Sequence, residues 1–110
     1  MRRVVIESPY AGDLALNAKY LDACLSDCFR RGESPYASHA IGPRALRDAV
    51  PEQRRQGIDA GFAWADVADA IVFYVDLGWS GGMRAALVKH QADGRTIEQR
   101  KLPDWPAEST

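Results

Sequence analysis

The chain lacks most of the features that fix a protein class at a glance. No apolar run approaches the roughly 20 residues that cross a bilayer, and no long apolar segment opens the sequence, so a soluble cytoplasmic protein with no membrane partner is expected. Neither sign of charge is in excess. The 14 Lys and Arg against 15 Asp and Glu leave a formal net charge of -1, too little for a field that holds polymeric nucleic acid. The arginine pairs Arg2-Arg3, Arg30-Arg31 and Arg54-Arg55 read as solvated ends of helices or strands. Cysteine is scarce. Cys24 and Cys28 stand four apart in a helical pattern, a spacing that rarely gives disulfide geometry and matches no zinc set. They read as buried free thiols, and neither a metal nor another cofactor is expected.

What is present is most concentrated between Asp69 and Met83. The run Ala70-Ile71-Val72-Phe73-Tyr74-Val75 ends in Asp76 and breaks into Leu77-Gly78-Trp79-Ser80-Gly81-Gly82-Met83. A buried strand, a glycine-rich turn and a helical pattern in that order form a phosphate-site layout. The first N–H groups of the helix lack intrahelical partners and favour anionic oxygen. No Gly-Lys-Ser/Thr follows the turn and no GxGxxG occurs, which excludes the machinery of a Walker NTPase.

The rest of the chain alternates short apolar runs with helical periodicity. Arg3 to Ser8 predicts a strand, stopped by Pro9. Leu14 to Arg31 predicts a helix with Gly32 as its C-cap. Glu33 to His39 reads as a strand running into a loop, and a short helix or turn surrounds Ala45 and Leu46. Pro51 suits the first position of a helix reaching about Val67. Asp69 to Val75 is the third strand, Gly82 to Gln91 a helix and Thr96 to Glu98 a last strand. Right-handed βαβ units follow from this order. They predict an α/β fold, a three-layer flavodoxin- or Rossmann-like parallel sheet with helices on both faces. Residues 1–101 make the expected domain, and 102–110 a C-terminal tail whose Trp105 docks on the domain or on a partner.

In such sheets ligands sit at the carboxyl ends of the strands, which directs attention to the loops Ser8–Asp13, Ser38–Pro43 and Asp76–Gly82. Tyr10 either stacks on a base or sugar or staples its own loop. Asp13 reads as an N-cap. His39 follows the second strand and either meets a ligand or caps a loop, and His90 near a helix end reads as a surface charge. Asp69 lies at the far end of the sheet and reads as structural, whereas Asp76 ends the same strand at the pocket. Asp59 is either a solvated helical charge or a carboxylate that contacts a ribose hydroxyl or acts as acid or base. Trp64 reads either as part of an interface or as helix-face core packing, Trp79 as pocket or interface. No nucleophile elbow surrounds Ser8 or Ser80.

With these residues laid out, the chain resembles the nucleoside 2-deoxyribosyltransferase-like superfamily, and within it the short phage-type domains. Three blocks between Val4 and Ala92 carry the resemblance. Ile6-Glu7-Ser8-Pro9-Tyr10-Ala11-Gly12 is similar to the family's first strand and nucleoside-contacting loop. Ala68-Asp69-Ala70-Ile71-Val72 is similar to a second strand motif, and Ser80-Gly81-Gly82-Met83-Arg84-Ala85-Ala86 to S-x-G-x-x-x-E. The resemblance implies that the carboxylate closing the last block attacks the sugar's anomeric carbon and forms a covalent glycosyl–enzyme intermediate. Here that position is Ala86, and a methyl group cannot attack.

Binding is therefore expected ahead of catalysis. The expected ligand is a nucleoside or nucleotide, touched by Ser8, Tyr10, Gly12, His39, Trp79, Ser80, Gly81, Gly82 and Met83, with sequestration of a nucleotide signal (an anti-defence sponge in a phage) as its use. The alternative is an N-glycosidase or deoxyribosyltransferase in which another carboxylate, Asp59 or Asp76, replaces the missing glutamate. Glu7 is the other carboxylate near the pocket. The resemblance also implies homo-oligomers in which neighbouring subunits complete each pocket.

Overall fold

Strands β1 (Arg2–Glu7) and β3 (Ala70–Tyr74) send successive side chains to opposite faces, and both faces are apolar. Strands buried on two sides read as continuous hydrophobic runs and belong in a parallel sheet covered by helices. The computed structural model describes residues 1–106 and has this arrangement. Between and after those strands come α1 (Leu14–Arg30), β2 (Glu33–Tyr36), α2 (Ser38–Ala45), α3 (Pro51–Ala65), α4 (Gly81–Ala92) and β4 (Ile97–Arg100). The sheet order is β2-β1-β3-β4 and every pairing is parallel. The expected α/β fold is the observed one.

One face packs Val4, Ile6, Val72 and Tyr74 against Tyr20, Leu21, Cys24 and Cys28 of α1. The other packs Val5, Ile71, Phe73 and Val75 against Ala65 of α3 and Met83 of α4. Each such buried aliphatic or aromatic side chain stabilises by about 1.5–3 kcal/mol. The helix ends follow local chemistry. The Asp13 carboxylate accepts from Leu16 N–H at 3.1 Å, and Gly32 leaves α1 at φ +74, where an L side chain would be strained. Pro51 opens α3 with Glu52 in its first turn, and the Ser80 hydroxyl caps α4 by accepting from Met83 N–H at 3.1 Å. Both cysteines are free and buried, and burial pushes both thiols up from their ordinary range.

Four expectations need correction. The segment after β2 is a helix from Ser38, so His39 stands on α2 and not in a loop; Pro43 is accommodated within that short helix near its end. His90 is no surface charge but is 1% exposed. Trp64 is 54% exposed and covers Tyr36, rings 5.4 Å apart, which corrects the core-packing one of its two readings. β4 continues to Arg100, past the expected Glu98. Beyond it Leu102 is buried, and Trp105 meets the Tyr20 ring edge-on at 4.9 Å. Of the tail 102–110, residues 107–110 lie outside the described residues.

Candidate functional site

The order β2-β1-β3-β4 reverses direction between β1 and β3, and the crevice beyond such a switch point is where open α/β sheets bind ligands. A cleft of ≈ 690 Å³ lies beside the carboxyl end of β1, between α2 and α3 on one side and α4 on the other. That volume falls within the roughly 300–1,000 Å³ of small-molecule sites. Much of its wall is apolar or backbone, from Ile58, Phe62, Met83, Ala86 and the glycines Gly57, Gly61, Gly81 and Gly82.

Two histidine pairs give the wall its polarity. Ser8 Oγ and His39 Nε2 are 2.7 Å apart, joining the β1 exit to α2. Desolvation holds the His39 imidazole below the usual histidine range, and the nearby Glu7 charge opposes this without overcoming it. The second pair is His90 Nε2 with Glu7 Oε2, also at 2.7 Å. Arg95 Nη1 lies 2.9 Å from His90 Nδ1. A guanidinium has only donors, so Nδ1 must accept, the proton sits on Nε2, and a neutral His90 donates to Glu7. Arg95 is itself held by Asp66 and by Asp93, the latter at 3.0 Å. Phe62 and Phe73 close edge-on against the His90 ring, at 5.1 and 6.1 Å. The Glu7 carboxylate is thus fixed from behind, and its Oε1 has no hydrogen-bond partner among the described residues.

The N-terminal turn of α4 forms another part of the wall, with Ser80 Oγ spent on the Met83 cap. Lys89, paired to Asp93 at 2.9 Å, and Arg54, 3.7 Å from Asp48, bring positive charge to the same cleft. Among the described residues no cluster of three or more His, Cys, Asp or Glu is arranged to hold a metal, and no helix is long and apolar enough to cross a membrane.

Of the residues singled out from the sequence, Ser8, Tyr10, His39, Ser80, Gly81, Gly82 and Met83 line this cleft. Gly12 is exposed outside it, and Trp79 lies against Phe73, ring centroids 4.9 Å apart, as part of the α3–α4 core. Asp59 is exposed on α3 and does not line the cleft. Asp76 was expected to face the pocket; it turns instead to the α1 side. There its Oδ2 accepts from Tyr20 Oη at 2.5 Å and from Leu102 N–H at 3.0 Å. Strand alternation explains both carboxylates. Position 76 follows Val72 and Tyr74 toward α1, whereas position 7 follows Val5 toward α4. The same period-2 count was available in the sequence for Glu7, the acidic end of an apolar strand. Nothing in the sequence pointed from it to His90, which is 83 residues away.

The chain matches the family described as Domain of unknown function (DUF7768) over residues 2–100, and it belongs to that family. No curated protein matches it. Among solved structures it is similar to a 2-deoxyribosyltransferase from the psychrotolerant bacterium Bacillus psychrosaccharolyticus, described as a biocatalyst for nucleoside synthesis. The TM-score is 0.73 at 11% identity, over 98% of this chain and 77% of that one. At that identity the likeness is one of fold.

Proposed function

We propose that the cleft binds a nucleoside- or nucleotide-type small molecule. The observation that carries this reading is the convergence of unlike groups in one cavity. The N-terminal turn of α4, with Lys89 further along the same helix and Arg54 on α3 across the cleft, favours phosphate oxygens; Ser8, His39 and Glu7 offer partners for sugar hydroxyls; Tyr10 offers a ring to a base. The fold shared with a 2-deoxyribosyltransferase supports the choice of ligand class. Ala86 lines the cleft where the resemblance implies a nucleophile, which supports holding a ligand without turning it over, as in sequestration of a nucleotide signal.

A thermal-shift screen against nucleosides, nucleotides and cyclic or ADP-ribose-type dinucleotides, with chromatography of each incubated ligand, tests the proposal. A ligand that binds only the native state raises the melting temperature, by about 2.7 kcal/mol of stability at 100-fold over Kd. One such ligand recovered intact is the expected result, and a screen with no shift at millimolar ligand overturns the reading. N-glycosidic cleavage is the second reading, and one observation favours it: a carboxylate, Glu7, is present in the cleft after all. Self-association belongs to the same proposal, and light scattering behind a sizing column is its measurement, with a monomer mass as the contrary result.

A further inference from the structure

Resting on the reading that the cleft takes a nucleoside or nucleotide, we propose that Arg95, which does not line the cleft, is a positioning residue for that ligand. It acts through His90 on the Glu7 carboxylate. Arg95 lies between α4 and β4, and its side chain is 10% exposed. Its guanidinium meets Asp66 at the end of α3 and Asp93 at the end of α4, the latter at 3.0 Å. It also faces the Phe62 ring of α3, 5.7 Å from the ring centre. Two walls of the cleft are therefore tied together at this side chain, from outside the cavity. Arg100, another heavily bonded arginine, is the contrasting case, because its partners Glu33, Glu98 and Tyr74 do not line the cleft.

The route from Arg95 to the ligand runs through the tautomer of His90. Arg95 Nη1 stands 2.9 Å from His90 Nδ1, and a guanidinium only donates, so this ring nitrogen keeps its lone pair. The ring proton is left on Nε2, 2.7 Å from Glu7 Oε2. The other tautomer would turn two acceptors toward each other at that distance. With His90 1% exposed, bulk water cannot relieve the repulsion, and Glu7 would swing away or take up a proton. A donor-only neighbour outside the cleft thus decides how the carboxylate inside it is held. With the carboxylate it fixes the place where a hydroxyl or amino group of the ligand is accepted.

The test uses the whole chain with Arg95→Met and Arg95→Lys. Methionine keeps an apolar stem against Phe62 and removes the donors. It strands no buried acid, because the Asp66 side chain is 68% exposed and Asp93 keeps Lys89 at 2.9 Å. Lysine keeps a donor-only group. Nitrogen-15 NMR of labelled histidine reads the tautomer, and with two histidines in the chain His90→Gln assigns the signals. Affinities for the common ribo- and 2′-deoxyribonucleoside 5′-monophosphates are measured by calorimetry, with melting temperatures as the check on the fold. The native chain should show His90 protonated on Nε2 alone. Arg95→Met should populate the other tautomer and weaken nucleotide binding about tenfold, the scale on which outer partners of a ligand-holding group act. Arg95→Lys should restore both. Glu7→Gln should weaken binding as well, and Arg95→Met should add no further loss in that background. Additive losses, native affinity in Arg95→Met, or a native His90 protonated on Nδ1 each overturn the positioning role and leave the nucleotide reading intact. No nucleotide bound by the native chain overturns both.

Discussion

At the scale of single residues the cleft is a set of short polar contacts on an apolar wall, and two of them give sharp expectations. Ser80 both caps α4 and borders the cleft. Ser80→Glu removes the cap, a loss of about 1 kcal/mol, and sets a negative charge where phosphate is expected. Nucleotide affinity should fall at least tenfold while circular dichroism remains native; unchanged affinity would remove the anion-binding role of that turn. His39 gives the pH dependence. Its folded-state pKa lies below the unfolded value of about 6.5 because burial disfavours the imidazolium. As pH falls the unfolded chain binds the proton first. The stability held by neutral His39 is therefore complete above about pH 6.5 and declines as the pH drops toward the folded-state value. Urea midpoints between pH 7.5 and 5.5 should fall more steeply in the native chain than in His39→Gln. Parallel slopes would count against a desolvated His39.

Elements determine how much of this was readable beforehand. Long periodic segments such as Leu14–Arg30 and the apolar run of β3 announce themselves, because burial of one helical stripe or of both strand faces leaves a sequence pattern. Helix α2 leaves none: it has eight residues, includes Gly42 and Pro43, and is held by packing on α3. His90 was misread for a related reason. A histidine near a helix end looks like a favourable surface charge until Arg95 and Glu7, distant in the chain or turned by the fold, enclose it. The α2–α3 contact is close at Gly61, where an added Cβ would lie 2.9 Å from Ser38 Cβ. Gly61→Ala should therefore push α2 outward, separate His39 from Ser8 and weaken ligand binding. The overpacking costs about 1–3 kcal/mol, partly offset by up to about 1 kcal/mol of helix propensity. Adding Ser38→Gly should relieve most of the loss, and an unaltered melting temperature in the single variant would show that the helices can part freely.

Across the whole molecule the two faces of the sheet have separate duties. The α1 face carries a charged lattice: Arg100 Nη2 of β4 meets Glu33 Oε2 of β2 at 2.6 Å, with Arg2 and Glu98 alongside. The Arg100 hydrogen bond holds the Glu33 carboxyl below its usual range despite burial. A depressed carboxyl contributes stability above its unfolded pKa of about 4.3 and loses it as pH falls through the folded value. Acid unfolding should begin below about pH 4.3 in the native chain. Glu33→Gln should cost roughly 3 kcal/mol at neutral pH, the low end for a broken buried pair because Glu98 stays with Arg100. Its denaturation midpoint should then vary less below that pH, and an identical acid limb would assign the transition to other carboxylates.

The alternation along β1 has a practical consequence. Ile6 and Glu7 are adjacent in the chain, yet the first lies in the α1-side core and the second in the cleft. A library that randomises position 7 together with the cleft-facing positions of α2, α3 and α4 could search for new ligand specificities while positions 4, 6, 72 and 74 stay fixed. Survivors from such a library should differ in what they hold far more than in how hard they are to melt.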